Sequence, residues 1–131
     1  MPHLIYEITD NLESADADIA GLLRKSNQVL IDQGGVFPIG GIRSRVVWLK
    51  DYCVADGSHP DDAFVHVTLK VGAGRGEAEK KKACDELFAM ICEHFAPVFA
   101  QRGLAISMEF NEFSEAGTWK KNNIHPRYKK N

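Results

Sequence analysis

A proline stands directly behind the initiating methionine, and it is the first residue of this chain whose chemistry stands out. A small second residue generally lets the methionine be removed, so the mature chain is expected to begin at Pro2, without a signal segment or arm before the fold. That leaves a secondary amine at the head of an alternating stretch, His3-Leu4-Ile5-Tyr6-Glu7-Ile8. An α-amino group titrates at about 7.7 to 8.0, and a general base works best when its pKa is close to the working pH. Pro2 is therefore a candidate base, although a Met-Pro start by itself is also what a merely tolerant sequence would have.

Arginines supply the complementary charge. Arg43 and Arg45 share one face of a predicted strand because side chains on a strand repeat every two residues. Such pairs are ordinarily solvated or matched by acids on a neighbouring strand, so their meaning depends on what lies beside them. Arg75 belongs to Gly72-Ala73-Gly74-Arg75-Gly76, a turn that follows a strand and opens a helix, as phosphate loops do. The Gly-Lys-Ser/Thr ending and the Gly-x-Gly-x-x-Gly spacing are both missing, which excludes a nucleotide site. What is left is a guanidinium at a helix N-terminus, where backbone donors and the side chain together favour an anion.

Other reactive residue types carry less. His59, Asp61 and Asp62 have no second cluster to complete a metal site, so no metal is expected. Cys53, Cys84 and Cys92 are an odd count without a Cys-x-x-Cys pair. They are read as reduced thiols of a cytoplasmic protein, with Cys84 and Cys92 buried on a helix as small hydrophobes.

The bounds are ordinary. The 131 residues are 44% hydrophobic and 26% charged, with a net charge of -2. That suits one soluble domain spanning 1–131, and it argues against broad capture of nucleic acid. No apolar run approaches the ~18 residues of a membrane span.

The elements that must position these residues follow from periodicity. After the first strand, Thr9-Asp10-Asn11 turns the chain and Ser14 caps a helix, with Asp16 and Asp18 in its first turn. Its core stripe is Ala15, Ile19, Leu22, Leu23, Ser26 and Leu30, and Gly34-Gly35 ends it. A turn-rich loop from Val36 leads into a strand ending near Leu49. Residues 51–62 form a polar loop, Ala63 to Val71 a third strand, and a long helix follows with the stripe Ala83, Leu87, Phe88, Ile91, Phe95 and Phe99. Glu77, Glu79 and Lys80 to Lys82 are placed on its wet side, and Pro97 is expected to kink or break its end. Leu104 to Phe110 is the fourth strand.

The result is an α/β (α+β) fold of two βαβ halves, about 1–52 and 62–112, and a basic tail. Strands within each half should be parallel, giving a four-stranded sheet with two helices on one face. The other face is expected to expose apolar side chains unless subunits pack on it, which argues for an oligomer. The tail carries Lys120, Lys121, Arg127, Lys129 and Lys130, with Trp119 and Tyr128 as anchors; it is read as solvated or docked on a neighbouring subunit.

Several ordered blocks together resemble a known family. They are Pro2-His3-Leu4-Ile5; Phe37-Pro38 with Gly41-Ile42-Arg43-Ser44-Arg45; Ala63-Phe64-Val65-His66 with Thr68-Leu69-Lys70; Gly72-Ala73-Gly74-Arg75; and Asn122-Asn123-x-His125. The chain is similar nearly end to end to the 5-carboxymethyl-2-hydroxymuconate isomerases of the tautomerase superfamily. The resemblance implies a trimer, a catalytic N-terminal proline at Pro2, and carboxylate-binding roles for Arg43 and Arg75, with Arg45 in the same block. It also implies a small polycarboxylate substrate and no cofactor. Two alternatives stay open: a tautomerase of another carboxylated enol such as phenylpyruvate, and a cytokine-like binding trimer of the same fold. Gly40, Pro97 and the loop from Cys53 to Asp62 depart from the family pattern, and none is expected to touch the chemistry.

Overall fold

The computed structural model describes residues 1–13 and 17–128. Strands β1 (His3–Thr9), β2 (Arg43–Leu49), β3 (Ala63–Gly72) and β4 (Leu104–Phe113) form one sheet in the order β2-β1-β3-β4. β1 and β2 run parallel around helix α1 (Ile19–Ile31), β3 and β4 run parallel around helix α2 (Glu77–His94), and the halves meet through an antiparallel β1–β3 pairing. This is the duplicated βαβ arrangement expected from the periodicity.

Alternation decides which face is buried. Leu4, Tyr6 and Ile8 of β1 and Val65, Val67, Leu69 and Val71 of β3 point under the helices, and each of them is fully buried. They meet Leu22 and Leu30 from α1 and Ala83, Leu87 and Ile91 from α2 in a single core. Each large side chain removed from water contributes about 1.5–3 kcal/mol. The buried Ser26 is satisfied: its Oγ donates to Leu22 O at 2.6 Å and accepts from the Tyr6 hydroxyl at 2.5 Å. Burial pushes the Tyr6 phenol well above its usual range, so it stays a neutral donor.

Several expectations are corrected. Helix α1 begins at Ile19 and is capped by Asp18, whose carboxylate accepts from Gly21 N at 3.1 Å with a left-handed φ of 43°. Asp18 is thus the cap rather than a first-turn residue, because its short side chain satisfies a helix-end donor; Ser14, Ala15 and Asp16 lie outside the described residues. Helix α2 stops before Phe95, and a one-turn helix α3 (Ala96–Phe99) restarts with Pro97 in its first turn, where a missing N–H costs nothing. The restart changes the phase of the apolar stripe, so Val98 turns inward at 9% exposure while Phe99 is 61% exposed. Phe88 is only half-buried, and so are Cys84 and Cys92.

Lys80 is not on the wet side either. Its side chain is 13% exposed, held by Glu77 at 2.6 Å and Glu112 at 3.2 Å, with the ammonium 5.9 Å from the centre of the Phe110 ring. Long lysine stems cover apolar surface readily.

The open face of the sheet also differs from the expectation. It presents His3, Glu7, Arg45, His66, Lys70, Ser107, Glu109 and Asn111, with Ile5, Val47 and Phe64 scattered among them. His66 hydrogen-bonds Ser107 at 2.7 Å and Glu109 at 3.1 Å. The face is polar because the apolar members of the alternation were spent on the helix side, so it gives no apolar argument for assembly.

Tyr6→Phe is expected to lower the unfolding free energy by about 0.5–1.5 kcal/mol, the net worth of one neutral hydrogen bond. Urea unfolding checks it, with the slope unchanged.

Candidate active site

The head of β1 is enclosed because β1 is an inner strand. His3 pairs with Arg43 on one side and with Lys70 on the other. The buried Pro2 accepts from Arg43 N at 3.1 Å through its carbonyl. The start of β2 and the end of β3 therefore converge on the chain terminus. Three residues past β3 the chain reaches Arg75, while β4, paired to β3 out to Gly72↔Phe113, delivers the tail to the same corner.

Arg75 is clamped. Its Nε donates to Val36 O at 3.0 Å and its Nη1 to Gly72 O at 2.9 Å, with the guanidinium 4.7 Å from the centre of the Phe37 ring. At the helix N-terminus nearby, the Glu79 carboxylate accepts from Gly76 N at 3.1 Å and so satisfies one of the helix-end donors.

Arg43 lines a cleft of about 300 Å³ together with Met1, His3, Phe113, Thr118, Trp119, Lys120 and Lys121. The Met1 thioether fills part of this space, receiving contacts from Arg43 Nη1 at 3.5 Å and Asn122 Nδ2 at 3.4 Å. Arg45 is elsewhere, with its Nη1 3.2 Å from His3 Nδ1 on the open face. Of the three arginines, two approach the terminus and the third meets it only through His3.

The electrostatics follow. Burial first, and then the charges of Lys120 and Arg75, hold the Met1 amine below its usual value; Glu115 pulls the other way, and Arg43 adds to the lowering. Burial, followed by Arg45 and Arg43, likewise keeps His3 below the ordinary histidine range. This corner favours neutral bases and anionic ligands.

The tail, expected to be solvated or on a neighbour, docks on its own chain. Asn122 Nδ2 donates to Gly40 O at 2.9 Å, and Asn122 Oδ1 accepts from Ile124 N at 2.6 Å, which folds the Asn122-Asn123-x-His125 block against the loop before β2. Trp119 is 89% exposed and Tyr128 49% exposed, so neither is buried against its own chain; Lys129 and Lys130 lie outside the described residues. Gly40, expected to be remote from the chemistry, is part of this seam: a Cβ there would sit 2.7 Å from the His125 Cα. Lys120, Glu115, Phe113 and Asn122 were not singled out for the site from the sequence. Only the Asn122 block signalled the region, and no spacing rule joins a tail lysine to residue 2.

The fold and this corner define a class: a duplicated βαβ protein with a buried proline near its N-terminus and cations around the terminal amine. Residues 2–128 match the 5-carboxymethyl-2-hydroxymuconate isomerase family. A 5-carboxymethyl-2-hydroxymuconate Delta-isomerase of Escherichia coli is 44% identical, over 98% of this chain and 100% of its own. A crystal structure of a 5-carboxymethyl-2-hydroxymuconate isomerase from Deinococcus radiodurans R1 is 56% identical with a TM-score of 0.93, covering 98% of this chain and 95% of that one. The chain belongs to the 5-carboxymethyl-2-hydroxymuconate isomerase family. Its fold extends to more distant proteins, such as a fused 4-OT symmetric trimer at 16% identity and a TM-score of 0.59, covering 86% of this chain and 87% of that one.

Gly40→Ala is expected to cost about 1–3 kcal/mol, the usual penalty of forced overpacking, because the added methyl meets backbone. A melt followed at Trp119 and by circular dichroism measures it, and activity should fall with the displaced tail.

Proposed function

We propose that this chain is an isomerase that converts 5-carboxymethyl-2-hydroxymuconate to its 2-oxo-3-ene isomer, in the breakdown of homoprotocatechuate, with the amine of Pro2 as the base. The observation that supports this reading is the convergence of Arg43, Arg75 and Lys120 on the Met1 amine, one residue from Pro2, with Met1, Arg43 and Lys120 lining one cleft. The reaction moves one proton: it leaves the 2-hydroxyl, the double bonds shift, and carbon 5 receives a proton. Such a step needs a group that takes and returns a proton, and fixed cations that hold carboxylates and the charge growing on the 2-oxygen. A proton shift of this kind has no redox step, and no cofactor is invoked.

In this reading the roles divide. Pro2, freed of Met1, is a neutral secondary amine, since like charge and burial both disfavour its protonated form. Arg43 and Arg75 bind carboxylates, and Arg45 acts indirectly by setting His3. A monocarboxylate enol such as phenylpyruvate would leave cations unmatched, which favours the polyanion. We further read residues 1–131 as one domain of a homotrimer in the cytoplasm; the trimeric relative of the same fold and the three thiols outside any disulfide support this.

Intact-mass measurement of active enzyme should give a chain beginning at Pro2, because a retained methionine turns the base into an amide. In that protein kcat/KM should fall with decreasing pH through a midpoint below the ~7.7–8.0 of an ordinary amine. Proline ¹⁵N titration should give the same midpoint, and active protein carrying Met1 throughout would exclude the mechanism.

Arg43→Ala should lower kcat/KM roughly tenfold to a thousandfold with native circular dichroism, the loss of a charge-assisted hydrogen bond or somewhat more. Arg75→Ala should lose as much and also some thermal stability, since its guanidinium bridges two carbonyls. Wild-type kinetics in either variant would refute a binding role.

A further inference from the structure

Lys120 differs from both arginines in how it is held. It lines the cleft beside Met1 and Arg43, and its ammonium pairs with Glu115 Oε2 at 3.3 Å. Those two side chains are 43% and 64% exposed. An ion pair this open to solvent contributes little and exchanges readily, whereas the Arg75 guanidinium is fixed by two carbonyls and a ring.

The segment that carries the pair is nonetheless built. Ser114 Oγ accepts from Gly117 N at 3.1 Å, and the Ser114 carbonyl accepts from the Thr118 hydroxyl at 2.9 Å. This turn sets Glu115 and Lys120 on one side of the cleft mouth. The end of β4 ties it to the loop that carries Arg75, through Ala73 N donating to Phe113 O at 3.0 Å.

Charge matching gives the lysine a task. The proposed substrate has three carboxylates: one at each end of the muconate chain and one on the carboxymethyl arm. Arg43 and Arg75 are half-buried, while Lys120 is exposed at the mouth, where a branch leaving the chain would emerge. We infer that Lys120 is a specificity-determining residue that binds the carboxylate of the carboxymethyl arm, and that Glu115 is the protein's own carboxylate holding the ammonium in place until the substrate displaces it. The inference rests on the function proposed above and adds to it the reader of the third charge.

The same geometry explains why the lysine is tethered by an acid. An unpaired ammonium on the tail would swing through solvent, and ordering it on binding would cost side-chain entropy. A weak partner keeps it close to its working position, and the exposure of the pair keeps the exchange cheap.

The test uses the processed enzyme with two substrates, 5-carboxymethyl-2-hydroxymuconate and 2-hydroxymuconate, which lacks the arm. Where the shorter compound is not turned over, its inhibition constant against the full substrate replaces its KM. Assayed at a pH above the range in which the terminal amine titrates, Lys120→Met should raise KM for the full substrate roughly tenfold to a hundredfold, the loss of a charge-assisted hydrogen bond, with kcat changed far less. The penalty on the shorter compound should be at least tenfold smaller, and Lys120→Arg should recover most of the loss. Glu115→Gln should lower KM for the full substrate roughly twofold to fivefold, the share held by an exposed ion pair; a purely structural contact would move it the other way. Equal losses on both compounds, or no loss in Lys120→Met, would overturn the inference and leave the proposed function standing. A wild type that isomerises neither compound would instead remove the proposed function, and this inference with it.

Discussion

Everything at the active corner depends on β1 being an inner strand. A chain end on an edge strand is wet on one side and has few neighbours, so its amine titrates much as a free one does. Here β2 starts and β3 ends beside the head of β1, with His3 paired to Arg43 and to Lys70. Each neighbouring strand brings a loop or tail with it. The backbone ladder that closes the core under the helices is therefore also what encloses Pro2.

That enclosure sets the chemistry through two effects of the same sign. Withdrawal from water and nearby guanidinium and ammonium groups both disfavour a protonated amine. Several cations at one corner repel each other, and the structure offsets that repulsion in different ways. Arg75 gives its donors to Val36 O and Gly72 O, and its charge to the Phe37 ring. Lys120 has only Glu115, in the open. The rigid cation suits a carboxylate that must be aligned with the base, and the loose one suits a charge at the periphery of the ligand.

The docked tail completes the corner. Asn122 binds the Gly40 carbonyl, and His125 packs where any side chain at residue 40 would intrude. Gly40 thus lies at a close contact between the loop before β2 and the tail. On the open face of the sheet, most of the residues left over from the alternation are polar, and His66 hydrogen-bonds Ser107 and Glu109.

The sequence by itself determined what repeats locally. Period-two alternation marked four strands, helical stripes marked α1 and α2, and Pro97 marked the break before α3, because these signals come from neighbours on one element. Pro2, Arg43 and Arg75 stood out through residue type and ordered blocks. What only the tertiary structure decided was proximity across elements. Arg45 turns to His3 and Arg43 to the terminus, although both lie on one strand face. Lys120 lines the cleft beside Met1 from a basic tail that looked solvated. Phe99 left the core because a one-turn restart changed the phase of its stripe. The placements of Arg43, Arg45 and Lys120 depend on which strand ends lie side by side, a consequence of the β2-β1-β3-β4 order; that order is set by long-range pairing, which local periodicity does not encode.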